Sequence, residues 1–138
     1  YLLPLGVCDV KRVGKDLTII ANGYMVWLAM QVAQVMSKED VEIEVIDVMT
    51  VSPLDRKTII DSVRKTGRAV VVNESHRSYN ATGEWTQTIM EGAFDYLEAP
   101  VFRVTGRDSP VPFSPSLEKG QWPELVDLME AVRRSLAY

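Results

Sequence analysis

The sequence predicts an α/β domain in which helices cover both faces of a sheet. Short β-branched apolar runs alternate along the chain with segments whose apolar residues recur at helical spacing. The length of 138 residues suits one hydrophobic core, and a hydrophobic content of 46% with 25% charged residues is typical of a globular protein.

Each predicted element follows from a local pattern. Strands are predicted at residues 17–21, 41–48, 69–72 and 101–105, and helices at residues 24–37, 53–65, 83–97 and from Pro123 onward. Ile19 and Val71 lie in runs of apolar residues and are predicted to be buried in central strands. Residues 9–12 are predicted to pair with the strand at 17–21 across a turn. Ser52 is predicted to cap the second helix, with Pro53 at its first position.

The helix predicted at residues 24–37 has almost no polar face. A helix that is apolar all round must be covered all round, and a sheet covers only one side of it. One interpretation is a central helix that neighbouring elements of the same chain bury completely. The other is a subunit interface, with Trp27 and Met30 as the candidate contact residues.

Several classes of function are excluded by what the sequence lacks. One glycine follows the first strand where a dinucleotide-binding loop has three, and no Walker A motif occurs. A single Cys and a single His cannot form a conventional zinc site. A net charge of -4 without a basic run disfavours nucleic acid, and no apolar stretch is long enough to cross a membrane. The lone Cys8 fits a reducing compartment.

The carboxyl ends of the strands are the expected place for a ligand site. His76 lies there in a predicted loop, but no nucleophile accompanies it, so a solvated or interface histidine is favoured over a catalytic one. Glu74 is predicted to end a buried strand and to meet Arg103, Arg107 or a backbone amide. Arg107 and Asp108 are predicted to form a turn and a surface charge pair.

Seven segments in order resemble one family. They read GKDLTIIANG at residues 14–23, VEIEVIDV at 41–48, VSPLD at 51–55, SVRKTGR at 62–68, VVNE at 71–74, LEAPV at 97–101 and RVTGRD at 103–108. Together they resemble the C-terminal domain of transketolase-like proteins, and most closely that of the E1 β subunits of the pyruvate and branched-chain 2-oxo acid dehydrogenases. The resemblance extends over nearly the whole chain.

The resemblance implies a three-layer α/β fold. Its sheet is twisted and mostly parallel, with about five strands, one of them antiparallel, and helices on both faces. It also implies that residues 1–138 are a fragment of a longer chain, in which residues 1–7 are the linker that enters the domain.

For catalysis, the resemblance implies an assembly domain rather than an enzyme. In this family thiamine diphosphate and magnesium are bound between an upstream domain and another chain, and the glutamate that activates the cofactor lies upstream. The diphosphate-binding motif that begins Gly-Asp-Gly is absent here. We therefore expect no catalytic, cofactor-binding or metal-binding residue in this chain, whereas the intact parent oxidatively decarboxylates pyruvate or a related 2-oxo acid.

The expected partners are the E1 α chain, a second β subunit and the peripheral-subunit-binding domain of the acyltransferase (E2). The resemblance makes Glu98 and Tyr138 the candidate E2-docking residues, although a turn and a frayed terminus would also account for them. Two alternatives stay open, namely a regulatory anion-binding domain and the matching domain of another transketolase-like enzyme. The bacterial cytoplasm is the favoured location, and the mitochondrial matrix is expected for a eukaryotic source.

The chain departs from the family at two turns. Many members have two glycines where this chain has Tyr79 and Asn80, and Asn80 is expected to adopt a glycine-like conformation more easily than Tyr79. Many members also have an Arg-Thr pair where this chain has Met49 and Thr50, so any contact of that arginine is lost.

Overall fold

The computed structural model describes residues 2–138 and forms three layers, with a central sheet between two layers of helices. Its strands are β1 (Asp9–Arg12), β2 (Leu17–Ala21), β3 (Ile43–Asp47), β4 (Ala69–His76) and β5 (Phe102–Gly106). Its helices are α1 (Tyr24–Ser37), α2 (Arg56–Thr66), α3 (Ala81–Ala93), α4 (Pro115–Glu118) and α5 (Leu125–Leu136), and a 3₁₀ turn at Phe94–Tyr96 follows α3. Within residues 2–138, no helix combines the length and apolar content that crossing a membrane requires.

The sheet has five strands in the order β1-β3-β2-β4-β5. Four strands are parallel, and β1 runs antiparallel to β3. The predicted mostly parallel sheet is thereby confirmed. The predicted pairing of residues 9–12 with residues 17–21 is wrong, because β3 and β4 occupy both edges of β2 and leave β1 only the outer edge of β3.

Two apolar cores lie on opposite faces of the sheet. On one face α1 and α5 pack on one set of strand side chains, which includes Ile19 and Val45. On the other face α2 and α3 pack on the alternate set, which includes Ile46 and Val71. The two cores arise because successive side chains of a strand point to opposite faces of the sheet. Both faces of these strands are buried, so each face has its own core. Ile19 and Val71 are both fully buried, as predicted.

The starts of two helices differ from the prediction. The first helical residue of α2 is Arg56, and its cap is Asp55, whose side chain accepts a hydrogen bond from the Thr58 amide at 3.1 Å. Ser52 is therefore not the cap, because Asp55 also accepts from the Cys8 amide at 2.9 Å and this long-range bond fixes where the helix begins. Similarly, α5 begins after a capping box of Glu124 and Asp127 rather than at Pro123.

The third predicted helix is shifted toward the N-terminus. It begins at Ala81 rather than Gly83, because the Asn80 side chain caps it by accepting from the Thr82 amide at 2.8 Å. It ends at Ala93, where the chain tightens into the 3₁₀ turn. Trp85, Ile89 and Ala93 form its buried stripe, as their spacing of four residues predicts.

The entry to β3 is held by a buried carboxylate. Glu44 is buried and accepts hydrogen bonds from the Gly14 amide at 3.2 Å and the Ser62 hydroxyl at 2.6 Å, and it pairs with Lys65. Since a buried charge is tolerated only when it is paired and hydrogen-bonded, these contacts explain an acidic residue in a central strand. They also draw the turn before β2 tightly against the backbone of β3.

Candidate functional site

The carboxyl edge of the sheet has a switch point between β2 and β4. The connection that follows β2 runs through α1 over one face of the sheet, and the connection that follows β4 runs through α3 over the other face. In parallel sheets, connections that diverge in this way open a crevice. In this chain three amide side chains meet at that point. Asn73 donates to Asn22 at 2.8 Å, and Asn80 donates to Asn73 at 3.1 Å. Asn73 and Asn80 are buried, so these amides bond to the protein itself at this point.

The loop after β4 is shaped by the same network. Asn80 donates to the carbonyls of Ser75 and His76 at 3.1 and 2.9 Å. The left-handed conformation falls on Tyr79, with φ of 59°, while Asn80 is extended. The expectation that Asn80 would take the glycine-like conformation is therefore wrong, because its side chain caps α3 and its own backbone must stay extended.

Glu74 and His76 do not form a catalytic pair. The last three residues of β4 are exposed, and both side chains lie among them. Within residues 2–138 Glu74 makes no ion pair with either Arg103 or Arg107, so its predicted buried pairing is wrong. The strand simply extends beyond the part that the helices cover, and water can solvate its carboxylate.

Asp108 organises the neighbouring loop rather than pairing with Arg107. It accepts hydrogen bonds from the Ser78 amide at 2.9 Å and from the Ser78 hydroxyl at 2.6 Å. These hydrogen bonds hold the pKa of the Asp108 carboxyl below its ordinary value. The predicted charge pair is thus replaced by a link between the loops that follow β4 and β5.

Part of α1 lies exposed. Its buried residues face the sheet and α5, but Trp27 is 54% exposed and Tyr24 is 56% exposed. Their rings stack with centroids 5.2 Å apart, and Met30 is half-buried at the margin of the core. Complete burial of this helix within residues 2–138 is therefore excluded, which leaves an apolar surface that the described residues do not cover.

The two candidate docking residues are connected through one arginine. Arg68 donates to the Ser135 carbonyl near the end of α5 and lies 3.4 Å from a Glu98 carboxylate oxygen. The Tyr138 ring lies 6.2 Å from that of Phe102. Glu98 and Tyr138 are both exposed and belong to segments that Arg68 ties together. Sequence reasoning did not single out Arg68 for this role, and its position at the turn before a buried strand is the one signal that could have drawn attention to it.

No metal centre is apparent in the part of the chain that the structure describes. Residues 2–138 contain no group of three or more His, Cys, Asp or Glu side chains placed to hold a metal ion.

Burial and the carboxylates of Asp55 and Asp47 raise the pKa of the Cys8 thiol to about 12. This thiol therefore stays protonated near neutral pH and is a poor nucleophile.

Comparison with known proteins decides the family. The family described as "Transketolase, C-terminal domain" matches residues 6–124. The chain belongs to this family. A solved structure titled "Split gene transketolase, inactive beta4 tetramer" superposes with a TM-score of 0.82 at 26% identity, over 96% of this chain and 42% of that one.

Curated relatives point to one branch of the family. A mitochondrial pyruvate dehydrogenase E1 component subunit beta-2 of rice (Oryza sativa subsp. japonica) is 41% identical over 98% of this chain and 36% of its own length. The β subunit of the acetoin:2,6-dichlorophenolindophenol oxidoreductase of Cupriavidus necator is 37% identical over 99% of this chain and 40% of its own. The chain thus spans well under half the length of these relatives, and the resemblance to E1 β subunits is confirmed.

Proposed function

We propose that this chain is the C-terminal assembly domain of the β subunit of a thiamine-diphosphate-dependent 2-oxo acid dehydrogenase. It has no catalytic activity alone and serves subunit association and docking to the acyltransferase core. The observation that carries the proposal is the alignment of 98% of the chain with just over a third of a pyruvate dehydrogenase β subunit. In this proposal residues 1–7 are the linker from an upstream domain, and thiamine diphosphate and magnesium belong to the intact parent.

The names and sources of the relatives support a proposal for the location of the parent. The rice relative is named as a mitochondrial protein, and a bacterial relative comes from Rhizobium meliloti. We propose the bacterial cytoplasm or the mitochondrial matrix for the parent, where an E1 α chain and a second β subunit are its partners. Because both pyruvate and acetoin enzymes occur among the relatives, the proposal names the class of 2-oxo acid dehydrogenases rather than one substrate.

The proposed association surface is the exposed part of α1. A stacked pair formed by Tyr24 and Trp27 presents a rigid aromatic surface, and large aromatic residues are enriched among the side chains that contribute most to binding at interfaces. Met30 adds an adaptable apolar neighbour. In this proposal a second β subunit binds this apolar surface and buries it.

We expect Trp27→Glu to weaken self-association by roughly thirtyfold, which corresponds to about 2 kcal/mol for an interface aromatic. Sedimentation equilibrium over a range of concentrations measures this effect. Leu117→Glu is the matched control, since Leu117 is also apolar and exposed but belongs to α4 rather than to α1. Equal association constants for Trp27→Glu and the unchanged chain would contradict the assignment of this surface.

The proposed docking surface contains Glu98 and Tyr138. Glu98 keeps 65% of its side chain exposed while Arg68 limits its freedom, so a carboxylate is presented in a defined position. A small basic docking domain would be attracted to this carboxylate. In the proposal the exposed Tyr138 side chain belongs to the same docking surface. If Glu98 only belongs to a turn and Tyr138 only to a frayed terminus, neutralising the Glu98 carboxylate should cause no loss of binding.

We expect a basic peripheral-subunit-binding domain to bind the chain, and Glu98→Gln to weaken that binding about fivefold, as expected for a largely exposed charge pair. Isothermal titration calorimetry measures both affinities. Glu91→Gln is the control, because Glu91 is also exposed but bonds only to Gln87 on its own helix. Tight one-to-one binding of thiamine diphosphate with magnesium to the same chain would contradict its assignment as a non-catalytic domain.

A further inference from the structure

We propose that a groove beside β5 binds the phosphoryl group of a small phosphorylated molecule. The groove consists of two cavities of about 460 and 500 Å³ that share Arg77, Phe102, Arg103 and Arg134 in their walls. Volumes of this size are typical of small-ligand pockets. The site is distinct from the α1 surface, and the inference goes beyond the proposed assembly function.

The charge of this groove is unbalanced. Arg77, Arg103 and Arg134 line the 500 Å³ cavity, and its wall contains no carboxylate. The 460 Å³ cavity adds Arg107 together with three acidic residues, but two of those are already engaged. Asp108 accepts a hydrogen bond from the Ser78 hydroxyl, and Asp127 accepts one from the Glu124 amide. The third acidic residue of this cavity is Glu130.

The arginines of the groove are not neutralised by ion pairs. Among residues 2–138, the four arginines of the groove lie beyond ion-pair distance of every carboxylate. They are Arg77, Arg103, Arg107 and Arg134. Glu130 lies one turn before Arg134 on α5 but does not pair with Arg134. The cations that do form ion pairs lie elsewhere, and they are Lys11, Arg12, Arg56, Lys57, Lys65, Arg68 and Arg133. A chain with net charge -4 thus keeps four unpaired guanidinium groups around one groove.

One arginine also lies at an electrostatically unfavourable position. A Cβ atom added to Gly83, the third residue of α3, would lie 3.9 Å from an Nη atom of Arg103. The N-terminus of a helix carries positive partial charge, so a cation there needs a compensating anion. Glu84, the acidic residue of this first turn, is already paired with Arg56 at 2.5 Å. A bound anion would supply the missing negative charge.

The groove is also partly pre-organised. The Arg134 guanidinium lies 4.9 Å from the centre of the Phe102 ring, which restricts its position by a cation–π contact. The planar guanidinium fork matches phosphate oxygens with two parallel hydrogen bonds, and several forks around one groove favour a doubly charged group over chloride. Holding a donor in place before binding lowers the entropy lost on binding.

Titration of the 138-residue chain with inorganic phosphate, followed by amide NMR, tests the proposal against sodium chloride at matched ionic strength. We expect saturable shifts at Gly83 and Arg103 with phosphate. Arg134→Gln and Arg103→Gln should each weaken binding about tenfold, as expected for one charged hydrogen-bonding partner. Arg133→Gln is the control, because Arg133 precedes Arg134 in α5 but pairs with Glu39 at 2.9 Å outside the groove.

Two results would overturn the proposal. One is a response to phosphate no larger than the response to chloride. The other is equal weakening by Arg133→Gln and Arg134→Gln, which would show a diffuse effect of net charge. Binding of an acidic peptide in the groove by a chain that does not bind phosphate would assign a different kind of partner and also overturn it. Arg134 is exposed, and thermal melts of each variant establish that the fold is retained.

Discussion

Val71→Asp is expected to abolish folding of the chain. Val71 is fully buried in β4, at the centre of the core under α2 and α3. An unpaired carboxylate there would lose its hydration without gaining a partner, at a cost of more than about 4 kcal/mol. Since the whole stability of a domain is roughly 5–15 kcal/mol, this cost removes most or all of it. Circular dichroism and urea titration measure the loss.

The control and the companion variant make the result specific. Ile19→Asp should have the same effect from the opposite core, because Ile19 is also fully buried. Val126→Asp changes the same residue type at a position that is 67% exposed, in the first turn of α5, where a negative charge is favourable. If both buried variants melt within a few degrees of the unchanged chain, the assignment of the central strands is wrong.

Gly14→Ala is expected to destabilise the chain by roughly 3 kcal/mol, the upper range for forced overpacking. A Cβ atom at this position would lie 2.3 Å from the Glu44 amide nitrogen and 2.3 Å from the Ile43 carbonyl carbon. Both are backbone atoms of β3 and cannot move aside as a side chain can. The change would also disturb the hydrogen bond from the Gly14 amide to the buried Glu44 carboxylate.

Thermal unfolding with a matched glycine variant measures this cost. We expect the melting temperature of Gly14→Ala to fall by about 10 °C, given the usual relation between free energy and melting temperature. At Gly120 an added Cβ would meet its nearest neighbour at 3.6 Å, which is ordinary contact, so Gly120→Ala should melt close to the unchanged chain. Equal melting temperatures for the two variants would show that the turn before β2 can relax away from β3.

The central strands could be predicted from sequence because their signal is local. Runs such as the one that contains Ile19 are apolar and β-branched, and burial on both faces requires that composition. The partner of β1 could not be predicted in this way. Closeness along the chain favoured a hairpin with β2, whereas the order of the sheet gives both edges of β2 to other strands.

Helix starts and the candidate sites depend on contacts that are distant in sequence. Ser52 and Asp55 are both acceptable caps, and the bond between Asp55 and the Cys8 amide, 47 residues away, distinguishes them. The arginines around the groove come from β5, from the loop after β4 and from α5, so no sequence window contains them together.

The position of α5 sets an order of events during synthesis. Leu128 and Val132 are fully buried, and they close the core that α1 shares with β4 and β5. A ribosome makes this helix after every strand of the sheet, so one side of the sheet stays without its lid while the rest of the domain is already outside the exit tunnel. Domains fold as units, and exposed apolar surface in a partly made chain invites aggregation. The strip between α1 and β5 is therefore the last part of the apolar core to be covered as the chain is made.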